Sequence, residues 1–189
     1  MKPGVATAAH LRPPRALLLC DALEQQLCLR INALARQPGI RRLFAGVSRL
    51  GDGVFWYVLM VGCALGLGQA GRLVALQMAA AALLGVAIYG LLKRRLVRER
   101  PFVSHAGIVC ATPPLDRYSF PSGHTLHAVL FTTLAIAWFP LFAFLLVPFA
   151  LLVAASRVVL GLHYPTDVLA GALLGWMIAQ AALWLQPPF

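Results

Sequence analysis

The sequence predicts an all-α membrane protein: a polytopic bundle of about five spanning helices, preceded by an amphipathic helix that lies on the membrane surface. Of the 189 residues, 60% are hydrophobic and only 12% are charged. The apolar residues form runs close to the length that a helix needs to cross a hydrocarbon core of about 30 Å. The charge balance of +10 would suit a nucleic-acid surface on a soluble fold, but these runs exclude that class. The cations therefore indicate membrane lipids and a lipid phosphate substrate as partners, and no nucleic acid.

The first 52 residues are predicted to form a tail and amphipathic interfacial helices, ahead of a membrane domain over residues 53–189. Proline and glycine recur in residues 1–14, where we expect a loose tail. In residues 15–34, leucines recur at helical intervals and polar residues such as Glu24 mark the other side. A second, basic helical piece ends before a turn with two glycines. We therefore expect this region to lie on the membrane rather than to span it.

Four apolar stretches supply the five spanning candidates. One of them contains about 32 residues, which at 1.5 Å per residue would be near 48 Å, too long for a single span. Pro140 divides this stretch into a hairpin of two short spans. The last stretch is ended by Pro187 and Pro188. The candidates cover residues 54–69, 73–92, 125–156 (two spans) and 168–185.

Residues that could bind and cleave a phosphate are gathered in three short polar islands at the ends of these stretches. The first island holds Lys93 and Arg100-Pro101, the second Pro121-Ser122-Gly123-His124, and the third Ser156-Arg157, His163 and Asp167. Polar groups at membrane depth are costly and are functional candidates by default. When the chain is followed back and forth across the bilayer, all three islands reach the same face. We therefore expect one site built from the tips of different helices.

The second island has the features of an anion-binding helix start. Pro121 suits the first helical turn, and Ser119 or Ser122 can cap it. The backbone N–H groups of Ser122 and Gly123 would then face a ligand at the positive end of the helix dipole. His124 follows directly and can give or take a proton near neutral pH.

The third island has the pattern of an activated imidazole. Asp167 lies four residues after His163, so its carboxylate is expected to accept the Nδ1–H bond and to leave Nε2 bare and basic. Arg157 adds a fork of donors suited to phosphate oxygens. The first island contributes Lys93 and Arg100, because Pro101 stops the helix and lets Arg100 turn inward.

Lys-x6-Arg-Pro, Pro-Ser-Gly-His and Ser-Arg-x5-His-x3-Asp, complete and in this order, resemble the three signature motifs of the type 2 phosphatidic acid phosphatase (PAP2) family. The resemblance covers about residues 50–185. It implies a membrane helix bundle that hydrolyses phosphate esters or diphosphates through a phosphohistidine, with no metal or other cofactor. By position, His163 resembles the nucleophile, Asp167 its orienting partner and His124 the general acid. The phosphate-binding set that the resemblance implies is Lys93, Arg100, Ser122, Gly123 and Arg157.

A site at helix tips beside the bilayer fits a substrate whose phosphate lies at head-group level. The short chain and compact loops resemble bacterial members that act on undecaprenyl diphosphate, which is the leading expectation. Phosphatidic acid and phosphatidylglycerophosphate are alternatives within the same class. Outside it, a vanadate haloperoxidase-like protein and a non-catalytic lipid-binding membrane protein are the rival hypotheses. The oligomeric state is not predicted.

The family resemblance and the distribution of charge predict opposite membrane sides for the site. The resemblance implies a multi-pass protein of a bacterial inner membrane with a periplasmic site. Of the 16 Lys and Arg residues, however, only Arg72 falls on the opposite side, so the positive-inside rule predicts a cytoplasmic site. Since several of these cations must accompany the phosphate on either side, the periplasmic expectation is kept. The neighbours Arg94, Arg95 and Arg98 are expected to bind lipid head groups.

Overall fold

The structure is a computed structural model that describes residues 15–186, with side chains from residue 22 onward. The expected loose tail at residues 1–14 and the terminal prolines therefore lie outside the described residues. Within the described range the chain is helical and contains no strand, which confirms the all-α class. The α-helices are α1 (Arg15–Asn32), α2 (Pro38–Leu50), α3 (Val54–Gly66), α4 (Gly68–Arg95), α5 (Pro101–Ser104), α6 (Gly123–Trp138), α7 (Ala143–Val159) and α8 (Pro165–Leu185).

The five expected spans are present as helices, but they differ in length. Three segments are long and apolar enough to cross a membrane, namely Gly68–Arg95, Pro140–Val159 and Pro165–Leu185. The helices α3 and α6 have 13 and 16 residues, fewer than the roughly 20 that a full span needs. Two of the five expected spans are therefore shorter than a full span. The turn after Gly66 ends α3 early, and the break before Pro140 ends α6.

Helix α6 occupies the centre of the bundle and packs against α4, α7 and α8. Leu126, Leu130 and Leu134 on α6 are completely buried. Two glycines on α8 bring the backbones of α6 and α8 unusually close. A Cβ atom at Gly171 would lie 2.4 Å from the carbonyl oxygen of Ser122, and one at Gly175 would lie 2.2 Å from that of Leu126. Small residues of this kind permit close helix contact, and here they fix the start of α8 against the start of α6.

Helix α1 lies across the ends of α7 and α8 and buries a partly polar face. Glu24, Cys28 and Asn32 are buried, whereas Leu23 and Leu27 are exposed. The Asn32 amide nitrogen donates to the carbonyls of Val109 and Val159 at 3.0 and 2.9 Å, and its oxygen accepts the N–H of Val109 at 2.8 Å. The sequence assigned Glu24 to the polar side of a helix on the membrane surface, whereas the structure buries Glu24 against the bundle. Its buried position follows from the ion pair and hydrogen bonds that it makes with the start of α8 and its surroundings.

Candidate active site

The three polar islands meet around one cavity of about 460 Å³, as the expected chain path requires. The cavity lies between the beginnings of α3 and α6 and the last turns of α4. Its polar end is lined by Lys93, Arg100, His124, Arg157 and His163, and Gly123 also reaches it. Apolar side chains of α3, α4 and α6 line the rest. Three cations and two imidazoles outnumber the carboxylates of Asp52 and Asp116 in the cavity, so this end is suited to an anion.

A tight turn after α7 holds Arg157 and His163 together. The carbonyl oxygen of Arg157 accepts the N–H groups of both Leu162 and His163, at 3.0 and 3.1 Å. The turn depends on Gly161, whose φ of 75° lies in the left-handed region that favours glycine. The six-residue interval between the arginine and the histidine is thereby folded back, and both side chains reach the same cavity.

The imidazole of His163 is 2% exposed and faces the cations with Nε2. Nη1 of Arg100 lies 3.4 Å from this nitrogen. Because a guanidinium has donors only, Nε2 must be the acceptor and carries a lone pair. Burial, followed by the charges of Arg157, Arg100 and Lys93, holds the pKa of His163 well below its ordinary value. The ring is therefore neutral, with its basic nitrogen directed at the cations.

The hydrogen bond predicted between Asp167 and His163 is not formed. Oδ2 of Asp167 lies 3.7 Å from Nδ1 of His163, beyond hydrogen-bonding distance. That oxygen instead accepts the backbone N–H of Tyr164 at 2.8 Å, and Oδ1 accepts a bond of 2.7 Å from Arg98. The carboxylate thus closes the first turn of α8 and lies near the imidazole without contacting it.

Arg98 belongs to this network and not to an exposed head-group surface, so the expectation for this residue is corrected. Besides Asp167, its guanidinium donates to Oε2 of Glu24 at 2.6 Å and stacks over the Tyr164 ring at 4.0 Å. Oε1 of Glu24 in turn accepts the backbone N–H of Thr166 at 2.8 Å. A carboxylate at a helix start is favourable because it meets unpaired N–H groups and the positive end of the dipole. Glu24 on α1 is therefore tied to the start of α8.

Asp116 is the counter-ion of the first island. Its Oδ1 accepts bonds from Lys93 at 2.5 Å and from Arg100 at 2.8 Å, and its Oδ2 accepts the Tyr89 hydroxyl at 2.8 Å. Burial alone would raise the pKa of Asp116, but the hydrogen bond and charge of Lys93, with Tyr89 and Arg100, outweigh it and lower the pKa. An ionised carboxylate thus lies where two cations converge.

The expectation for the second island is only partly met. Ser122 occupies the position before α6 and is fully buried. The Ser122 N–H was predicted to be free for a ligand. It instead donates to the carbonyl of Asp167 at 3.0 Å. Its hydroxyl pairs with that of Thr125 at 3.0 Å. Gly123, in contrast, lines the cavity. Because α8 approaches so closely, the serine is part of the α6–α8 contact.

Two further polar contacts of the cavity come from the end of α2 and the turn that follows it. Nη1 of Arg157 donates to the hydroxyl of Ser48, and Oδ1 of Asp52 lies 3.4 Å from Nε2 of His124. Sequence reasoning missed these two residues, together with Asp116, Arg98 and Glu24. A usable signal was the imbalance of charge, because the chain has only six acidic residues against 16 cations. A carboxylate near the polar islands therefore has an excess of cations to pair with.

Comparison with known proteins agrees with this geometry. The family model described as PAP2 superfamily matches residues 74–189. The chain belongs to the PAP2 superfamily. It is 36% identical over 150 residues to the decaprenylphosphoryl-5-phosphoribose phosphatase of Mycobacterium tuberculosis, an alignment that covers 76% of this chain and 79% of the relative. The PAP2 chain is therefore a membrane lipid phosphatase, which sets aside a non-catalytic lipid-binding role.

Two solved structures share the PAP2 fold of this chain. The crystal structure of Aquifex aeolicus LpxE superposes with a TM-score of 0.74 at 25% identity and covers 86% of this chain and 95% of that one. A transmembrane PAP2 type phosphatidylglycerolphosphate phosphatase from Bacillus subtilis gives a TM-score of 0.64 at 23% identity, covering 91% and 87% of the two chains. The second likeness shows the fold alone. Together they confirm the expected helical membrane bundle.

Proposed function

We propose that this PAP2 protein hydrolyses a phosphate ester of a lipid-linked head group, with His163 as nucleophile and His124 as general acid. The observation that carries the proposal is the two-ended cavity, cationic at the helix tips and apolar along α3, α4 and α6. A lipid phosphate has two matching parts, an anionic phosphate and an apolar tail. No soluble phosphate ester would need the apolar part.

In the first step, Nε2 of His163 attacks phosphorus and the bond from phosphorus to the lipid-side oxygen breaks. That oxygen keeps the electron pair of the bond and takes a proton from His124, which yields the lipid alcohol and a phosphohistidine. Lys93, Arg100 and Arg157 neutralise the oxygens that stay on phosphorus. A well-placed donor of this kind contributes about 3–4 kcal/mol to the transition state.

In the second step, a water molecule attacks phosphorus and gives a proton to the now neutral His124. The nitrogen–phosphorus bond breaks, its electron pair returns to Nε2, and inorganic phosphate leaves. Asp167 stabilises the cationic ring of the intermediate from 3.7 Å and orients it through the backbone of Tyr164. The amide of Gly123 is assigned to the phosphate, and Ser122 supports that helix start from behind.

The lipid tail is proposed to lie along the apolar part of the cavity. Leu83 and Val86 of α4 line it and are also 74% and 51% exposed on the flank of the bundle. Tyr57 on α3 lies on the same flank and is 65% exposed. Side chains that face both the cavity and the bilayer mark an opening through which a head group can reach the cations without leaving the membrane.

The substrate class follows from this opening and from the named relatives. Decaprenylphosphoryl-5-phosphoribose carries its phosphate on a sugar attached to a polyprenyl lipid, and its phosphatase aligns with three quarters of this chain. We therefore place a phosphomonoester on a polyprenyl-linked head group first. Undecaprenyl diphosphate, the leading expectation from the sequence, stays a prediction and is tested beside it.

The test is phosphate release by the purified protein in detergent micelles. The panel contains decaprenylphosphoryl-5-phosphoribose, undecaprenyl diphosphate, phosphatidylglycerophosphate and phosphatidic acid. His163→Asn should abolish release, and a labelled substrate should leave phosphate on His163 of the wild type after rapid acid quench. His105→Asn is the matched control, because His105 lies outside the cavity against the Tyr164 ring. Full activity of the His163 variant would refute the proposal.

We further propose that the protein lies in a bacterial inner membrane with its site on the periplasmic face. Helix α8 starts beside the site and runs to the other side of the bundle, so the carboxyl terminus should be cytoplasmic. A phosphatase reporter fused to the carboxyl terminus should be inactive and a fluorescent reporter active. The reverse pattern would place the site in the cytoplasm, as the positive-inside rule favours.

A further inference from the structure

The end of α2 and the turn that follows it contact two groups of the proposed mechanism. These are Arg157, which is proposed to bind the phosphate, and His124, the proposed general acid. Ser48 and Asp52 lie four residues apart, and their side chains meet Arg157 and His124. Both precede residues 74–189, which the family model matches. We propose that Ser48 and Asp52 are positioning residues of the active site, Ser48 for the phosphate-binding arginine and Asp52 for the general acid. This inference rests on the proposed function.

Ser48 fixes the orientation of a buried guanidinium. Arg157 is 2% exposed, and Nη1 donates to the Ser48 hydroxyl. Nε of the same group is buried and has no hydrogen-bond partner in the described part of the chain. An unpaired buried donor is costly, so this N–H is available for a phosphate oxygen. Because the Ser48 hydroxyl holds Nη1 of Arg157, the unpaired Nε–H keeps its direction when no substrate is bound.

Asp52 supplies the only carboxylate that lies against His124 among the described residues. The groups that otherwise face this imidazole are cationic or basic: Arg157 from α7, His127 from α6, and Arg100 and His163. The ring is only 10% exposed, and its burial, followed by these charges, disfavours the protonated form. Oδ1 of Asp52, 3.4 Å from Nε2, opposes them, and an opposite charge within about 4–6 Å favours the charged form. A general acid must hold its proton until the leaving oxygen takes it.

The position of Asp52 allows the proton to be replaced. Its side chain is 43% exposed, and it lines both the main cavity and a second one of about 240 Å³. The second cavity also reaches His124 and Arg157, and its walls include Arg49 and Thr112. The partly exposed carboxylate therefore lies between the general acid and solvent, at the boundary of the two cavities.

The decisive variant for Asp52 is Asp52→Asn, compared on two leaving groups. A lipid phosphate with an alkyl alcohol needs a proton on its leaving oxygen, whereas 4-nitrophenyl phosphate does not. General acid catalysis typically contributes about 10²–10⁴-fold. We expect kcat/KM of Asp52→Asn to fall at least about tenfold more on the alkyl substrate than on the aryl substrate. An equal loss on both, or no loss, would overturn the assignment.

The variant for Ser48 is Ser48→Ala, with Ser48→Thr as the conservative rescue. Removal of the acceptor leaves Arg157 free to turn, so orthovanadate should inhibit about tenfold less well, a change of about 1.4 kcal/mol. The threonine keeps the hydroxyl and should restore most of the affinity. Arg42→Gln, an exposed change on the same helix, is the matched control. Unchanged vanadate inhibition in Ser48→Ala, or equal weakening in all three variants, would overturn the role.

Failure of this inference is distinguishable from failure of the proposed function. The phosphohistidine is sought in the wild-type protein, where neither Ser48 nor Asp52 has been changed. Absence of labelled His163 in a protein that releases phosphate would refute the mechanism itself. Labelled His163 in the wild type with a leaving-group dependence that Asp52→Asn does not alter would refute only the role of Asp52. Melting temperatures of all variants, measured in the same detergent, identify any that merely unfold.

Discussion

The guanidinium of Arg98 donates a hydrogen bond of 2.7 Å to the carboxylate of Asp167, which has no exposed surface. The two residues are 69 positions apart, and Arg98 also binds Glu24 of α1. A residue that sequence reasoning placed among lipid head groups is therefore the partner of a buried acid beside the proposed nucleophile. The contact links α1, the loop after α4 and the start of α8.

Arg98→Ala should destabilise the protein more than alanine substitution of the neighbouring arginines does. The change leaves a buried carboxylate without its cation, which costs 3–5 kcal/mol when both partners are buried. Because the Arg98 side chain is 30% exposed, we expect about 2 kcal/mol and a melting temperature lower by several degrees. Arg95→Ala, an exposed residue at the end of α4, is the control. Equal melting temperatures for the two variants would show that the ion pair contributes little.

Asp116→Asn should tighten the binding of phosphate analogues. The wild-type carboxylate competes for Lys93 and Arg100, and its lowered pKa keeps it ionised at neutral pH. Any stability that this charge contributes is lost only as the pH falls through that lowered pKa. We expect the inhibition constant of orthovanadate to fall about tenfold. Glu99→Gln is the control, because among the described residues the Glu99 carboxylate accepts only the hydroxyl of Ser104, at 3.2 Å. Weaker vanadate binding in Asp116→Asn would mean that the carboxylate mainly orders the cations.

The ring of His163 should stay neutral throughout the range in which an ordinary histidine titrates. Burial and three neighbouring cations lower its pKa, so it binds no proton as the pH falls from 8 to about 6. Nitrogen-15 spectra of histidine-labelled protein in detergent report this directly. The signal that disappears in His163→Asn identifies the ring. A midpoint near 6.5 for that signal would contradict the electrostatic description of the site.

Gly175→Ala should separate α8 from α6. The added Cβ would lie 2.2 Å from the carbonyl oxygen of Leu126, which is backbone and cannot turn aside. Overpacking of this kind costs about 1–3 kcal/mol, and the shift should also lower activity because α8 carries Asp167. Gly90→Ala on α4 is the matched control, since its Cβ would meet nothing within 4 Å. Comparable melting temperatures and activities of the two variants would contradict the close contact.

The sequence predicted the meeting of the polar islands because chain direction across a bilayer leaves few alternatives. Lys93, Arg100, His124, Arg157 and His163 all reach one cavity for that reason. What the sequence could not predict are pairings set by side-chain direction between distant segments. The position of Asp167 depends on Arg98, and the amide of Ser122 is not free because it donates to the backbone carbonyl of Asp167 at the start of α8. Neither contact is indicated by the spacing of residues in the sequence.

Helix α3 has 13 residues, so at 1.5 Å per residue it measures only about 20 Å. We expect a hydrocarbon layer of about 30 Å to thin beside so short an element, which is one of the ways in which a bilayer adapts to a short helix. Such thinning would draw head groups next to α3 inward, toward the level of Trp56 and Tyr57. Lipid phosphates on this flank, where the cavity opens, would then lie closer to the cations before any lipid has bound.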